Sequence, residues 1–153
     1  MGSFEVQREV AAPASVVWST LVDWPNHGRW VPLTRVWVTS PSGEGVGASF
    51  VGRTGVGPIA FDDPMVVTGW QPPDGDKAGR CDIRKTGRVV LGTAGFTVTP
   101  LGPQRCRVAW TESIEIIGVR RLPLAGRLND LVGRLAFGVV LRQMSAQAEA
   151  RGQ

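Results

Sequence analysis

The chain of 153 residues predicts one α+β domain, spanning residues 1–153, built on a seven-stranded antiparallel meander. Three observations predict it. Period-2 alternation opens the chain, with Phe4, Val6 and Val10 set against Glu5, Gln7 and Glu9. Six strand-like runs follow between Thr34 and Ile117, each bounded by short turn-forming segments. After Gly118 the apolar period changes from that of a strand to that of a helix.

The elements follow in order. After the first strand, Pro13 stands where a helix can begin, because its missing N–H costs nothing in the first turn. Val16, Val17, Thr20 and Leu21 form a stripe at helical spacing with Trp18 on its flank. Asp23-Trp24-Pro25-Asn26 ends that helix, since the residue before a proline avoids the helical region. His27 to Trp30 reads as one more helical turn, closed by Pro32. Strands are expected over Thr34–Thr39, Gly47–Arg53, Ile59–Trp70, Arg80–Lys85, Val89–Thr99 and Arg105–Ile117. Pro41-Ser42-Gly43, Gly55-Val56-Gly57-Pro58, Pro72-Pro73-Asp74-Gly75, Thr86-Gly87 and Leu101-Gly102-Pro103 supply the turn chemistry between them. Pro64 inside the third of these runs points to a bulge or an edge position.

The last element is a long helix from Pro123 or Leu124 to Glu149. Leu124, Leu128, Leu131, Val132, Leu135 and Val139 share one of its faces, and Arg127, Asp130 and Arg134 another. Gly126, Gly133 and Gly138 each cost a helix about 1 kcal/mol relative to Ala. Close approach to the sheet, or room left for a ligand, would account for them.

Composition limits the function classes. The longest apolar stretch, Leu135 to Leu141, is seven residues, far below the roughly 18 needed for a membrane span. Glu5, Arg8 and Glu9 interrupt any secretory pattern at the start, so the expected location is the cytoplasm. Cys81 and Cys106 fit no metal-ligand spacing and the chain has one His, which gives neither a metal site nor a need for a cofactor. Of the 17 basic residues 15 are Arg, scattered from Arg8 to Arg151 without interleaved aromatics, so the net charge of +4 does not indicate nucleic acid.

This order of elements resembles the START-like (SRPBCC) superfamily of polyketide cyclases/dehydrases and lipid-transport proteins. The resemblance rests on Ala12-Pro13 with Val17-Trp18 and Leu21, on Trp30-Val31-Pro32, on Thr86-Gly87-Arg88-Val89-Val90, and on Val108-Ala109-Trp110-Thr111-Glu112. It implies a helix-grip fold, in which a curved sheet wraps a C-terminal helix and encloses an apolar cavity. These are markers of fold rather than of catalysis.

Strand alternation supplies candidate cavity residues. Val108, Trp110, Glu112, Ile114 and Ile116 share a face that is mostly apolar and is expected to look toward the helix. The same rule turns inward Ala48 and Phe50, Phe61, Asp63 and Met65, Cys81, Ile83 and Lys85, and Phe96 and Val98. Pocket candidates are therefore Trp30, Phe50, Asp63, Lys85, Phe96, Trp110 and Glu112, with Leu131 and Leu135 from the helix. The resemblance places Trp30 beside the pocket entrance. Asp63, Lys85 and Glu112 either orient a ligand's polar end or move a proton, or else Lys85 and Glu112 simply pair at the cavity mouth. His27 sits in Pro25-Asn26-His27-Gly28, a turn-like segment that predicts a surface position. The glycines of Gly43-Glu44-Gly45-Val46-Gly47 lead into a strand, so they offer no helix N-terminus to a phosphate.

Three readings of function remain. The first is binding of a small hydrophobic molecule, lipid, polyketide or isoprenoid-like. The second is a cyclase/dehydrase with Glu112, Lys85 or Asp63 as acid and base. The third is a module that regulates a protein partner, for which the Arg120-Arg121 corner is a candidate surface. A homo-oligomer is compatible with each.

Overall fold

A computed structural model of the chain describes residues 2–117 and 125–153, with side chains in the last helix from Asp130 onward. The Arg120-Arg121 corner and the expected helix start at Pro123 or Leu124 lie outside the described residues, as do the side chains of Gly126, Arg127 and Leu128. The alternating opening forms β1 (Gly2–Val10), and the Pro13 start produces α1 (Ala14–Leu21). A 3-10 helical turn spans Trp24–Arg29, with Pro25 in its first turn. Next come β2 (Thr34–Val38), β3 (Ser49–Thr54), β4 (Phe61–Gln71), β5 (Gly79–Thr86), β6 (Val90–Gly102), β7 (Arg105–Ile116) and α2 (Ala125–Arg151). A further short 3-10 turn at Gly57–Ile59 continues the expected Gly55–Pro58 turn and takes Ile59 from the start of the expected strand.

The strands form one antiparallel sheet of seven, ordered β1-β7-β6-β5-β4-β3-β2. β2 to β7 is a meander, and β1 joins it beside β7, so the chain crosses the whole sheet through α1 and the 3-10 turn. The sheet curves at irregularities: register shifts occur between Val67 and Gly69 and between Pro100 and Gly102, and Gly92 has φ +127°. β4 is an interior strand, so Pro64 is not on an edge, and the bulge lies a few residues further on. Pro64 pairs with Val51 of β3, while the ladder to β5 begins only at Met65–Lys85, which spares a missing donor.

α2 packs on β1 and α1 across the concave side. A Cβ at Gly133 would collide with the Phe4 ring, so this glycine serves close approach, whereas at Gly138 nothing lies within 4 Å. The face turned to the sheet carries Phe137, Val140, Leu141, Met144 and Ala148. The leucine face lies opposite. Leu131 and Leu135 are 56% and 66% exposed, and Val132 and Val139 are exposed beside them. The more numerous leucines suggested the wrong side, because at the tight contact with β1 the helix needed a glycine rather than a large side chain.

The buried core joins Val10, Val17, Leu21, Trp24, Phe96, Val98, Val108, Leu141 and Met144. Cys81 and Cys106 are free and buried within it, and burial pushes their thiols up, to about 12 and about 11. The native protein should therefore leave an aromatic disulfide reagent unreacted while the denatured chain titrates both thiols. Rapid labelling of either cysteine in native protein would show that the core opens.

Candidate functional site: a cavity between sheet and helix

The inward alternation of β4, β5 and β7, closed by α2 and the 3-10 turn, leaves a cavity of about 270 Å³. β7 contributes Trp110, Glu112, Ile114 and Ile116, β4 contributes Phe61, Asp63 and Met65, and β5 contributes Ile83 and Lys85. Gly92 and Ala94 of β6 stand between these strands: Gly92 pairs with Lys85 and Ile114, and Ala94 with Ile83 and Glu112. Two small residues at that level leave room for the long polar side chains that flank them.

Three charged groups meet on this wall. Lys85 Nζ donates to Asp63 Oδ2 at 2.6 Å and lies 3.6 Å from Met65 Sδ. The pair is largely withdrawn from solvent, with Lys85 and Asp63 side chains 7% and 15% exposed. Asp63 Oδ1 is buried and has no hydrogen-bond partner among the described residues. Trp110 Nε1 donates to Glu112 Oε1 at 3.3 Å. Burial pushes the Glu112 carboxyl up from its ordinary value, Lys85 and the Trp110 bond oppose that, and the Asp63 charge adds to it. Lys85 thus pairs with Asp63, not with Glu112.

This arrangement has a sign that can be checked. A group whose pKa is higher folded than unfolded stabilises the fold only at low pH, and that contribution is lost as pH rises through the folded value. Glu112→Gln removes this loss. The stability of the variant relative to wild type should increase as pH rises above the ordinary carboxylate range, measured by urea unfolding. A pH-independent difference would mean that Glu112 titrates normally.

The opposite wall is aromatic. Trp24 stacks on Phe50 at 4.2 Å with 8° between planes, and its Nε1 donates to Gly43 O. Trp30 Nε1 and Asn26 Nδ2 both donate to Gln147 Oε1, at 2.7 and 2.8 Å, and Gln147 Nε2 returns a bond to Asn26 Oδ1. This brace ties the 3-10 turn to α2, so Trp30 offers the cavity a ring and no free donor.

His27 is half-buried, not exposed as the turn-like sequence suggested. It lines the cavity between Trp24 and Trp30, at ring separations of 5.4 and 4.8 Å, with Trp110 at 6.2 Å. Its Nε2 is 2.6 Å from Leu21 O. Burial pushes its imidazole down to about 4, against the opposing influences of the Leu21 bond and Asp23. The sequence held a usable signal: Trp24, His27 and Trp30 are spaced by three, the repeat of a 3-10 helix, which stacks them on one side.

Of the residues singled out from sequence, Trp30, Phe50, Asp63, Lys85, Trp110 and Glu112 line the cavity. Phe96 does not. It is buried behind the wall, stacked on Trp110 at 5.5 Å and edge-on to Trp18. Leu131 and Leu135 do not either, being on the exposed side of α2. Phe137, Val140, Leu141 and Met144 take the place expected of them.

A curled antiparallel sheet with short helices and a C-terminal helix across its concave side defines the helix-grip class of the START superfamily. The sequence profile of the polyketide cyclase / dehydrase and lipid transport family matches residues 1–150, and the chain belongs to that family. Solved structures agree at the level of fold. A START superfamily protein from Mycobacterium smegmatis superposes with TM-score 0.76 at 15% identity, over 98% of this chain and 99% of its own. The Zhui aromatase/cyclase from Streptomyces sp. R1128 gives 0.72 at 19% identity, over 99% and 95%. Human STARD10 gives 0.74 at 13% identity, over 94% of this chain and 62% of its own. A search of curated protein sequences found no match. Among the described residues no helix is long and apolar enough to cross a membrane.

Proposed function

We propose that the protein binds a small hydrophobic molecule in this cavity, its polar end directed at Asp63, Lys85 and Glu112. One observation carries the reading: walls of aromatic and aliphatic side chains converge on a single buried polar cluster. Few apolar sites with few polar groups are made for anything but a ligand of matching character. At about 270 Å³ the space is at the small end of the roughly 300–1,000 Å³ typical of small-molecule sites. It suits a one- or two-ring or short-chain compound, of lipid, polyketide or isoprenoid type, better than a two-chain phospholipid. Native mass spectrometry of the purified protein tests this. An added mass that leaves on denaturation is expected; a bare chain that also takes up no added naphthalene would count against the reading.

A second reading, a cyclase or dehydrase, is favoured by Glu112. A carboxyl held toward its protonated form beside an ionised Lys85–Asp63 pair is suited to give a proton to a ligand carbonyl or a departing hydroxyl. The family description and the Zhui aromatase/cyclase neighbour are consistent with it. Glu112→Gln separates the two readings: it abolishes turnover in an enzyme and only adjusts affinity in a carrier.

A further inference from the structure

We infer that His27 is a second polar contact of the cavity, whose Nδ1 accepts a hydrogen bond from a hydroxyl-bearing ligand. This rests on the binding reading above and names the ligand chemistry of that same site.

The inference comes from an inventory of donors and acceptors. A backbone carbonyl can only accept, so the 2.6 Å contact to Leu21 O fixes the proton of neutral His27 on Nε2. Nδ1 is then an acceptor, and it makes no hydrogen bond to the described residues. The indole donors of the wall are spent. The indole N–H groups of Trp24, Trp30 and Trp110 go to Gly43 O, Gln147 and Glu112. Thr34 Oγ1 donates to Pro32 O, which leaves Thr54 Oγ1 to donate to Thr34. Lys85, the one Lys or Arg among the described lining residues, has its charge neutralised by Asp63.

His27 Nδ1 is left as an open acceptor on this wall, whereas Asp63 Oδ1 is buried out of a ligand's reach. A ligand that brings an O–H group satisfies Nδ1. The three indoles around His27 add flat apolar surfaces, which fits a planar hydroxylated ring.

Because His27 is the only histidine, imidazole nitrogen NMR on isotope-labelled full chain reads it without an assignment step. The expected result is a neutral ring protonated on Nε2, with an Nδ1 resonance that moves on adding 2-naphthol or 2,6-dihydroxynaphthalene and stays put with naphthalene. Calorimetry should rank 2-naphthol about tenfold above naphthalene. In His27→Phe, the advantage of the dihydroxy compound over naphthalene should fall about tenfold. A ring protonated on Nδ1, an Nδ1 unmoved by both phenols, or equal binding of 2-naphthol and naphthalene overturns the inference, and the NMR arm needs no variant to fold. Failure of naphthalene itself to bind would instead overturn the binding reading beneath it.

Discussion

Lys85→Met is expected to destabilise the protein by about 3–5 kcal/mol, because it leaves the Asp63 carboxylate buried without its cation. The 2.6 Å bond to Lys85 holds Asp63 Oδ2, and Oδ1 has no partner among the described residues, so nothing there compensates the lost charge. The fall in Tm should be on the order of 10 °C for a domain of this size. Pairing the change with Asp63→Leu should recover most of it, since two apolar residues of similar bulk replace a buried ion pair at little net cost. Thermal and urea unfolding of the two variants give the answer. A single variant as stable as wild type would mean that Asp63 is hydrated, and hence that the polar end of the cavity is open to water.

Gly92→Ala is expected to cost roughly 2–4 kcal/mol, from a strained backbone together with lost pairing. Gly92 adopts φ +127°, a conformation that side chains disfavour, and an added Cβ would run into the backbone oxygen of Ser113 in β7. The residue lies between Lys85 and Ile114, both of which line the cavity. Straightening β6 there would disturb the wall as well as the sheet, so ligand affinity should fall along with stability. Unchanged stability would show that the β6–β7 pair can slide to accept a methyl group.

Much of this fold was legible in the sequence, and for physical reasons. Burial on one face forces period-2 alternation, so the inward set of β7 could be read directly, Glu112 included. Asp63 was legible for the same reason, because the irregularity of β4 falls between Val67 and Gly69, beyond it. What failed were choices that depend on a packing partner. The leucines of α2 defined an apolar face, but which face meets the sheet was decided by Gly133 against Phe4. Phe96 obeyed the alternation and points inward, yet Trp110 and Trp18 cover it. His27 was lost because Pro25-Asn26-His27-Gly28 has turn chemistry, and only the docking of the turn through Asn26, Trp30 and Gln147 carries its ring inside.

On the proposed reading, the ligand sits in the space beside Ala94. A calorimetric titration of naphthalene into wild type and Ala94→Leu tests it most directly. Ala94 lines the cavity between Ile83 and Glu112, so a larger side chain there takes up the space a ligand would fill. Wild type should saturate with one molecule per chain, while the folded variant should bind at least about tenfold more weakly. Equal binding by both proteins, or none by wild type, would contradict the account.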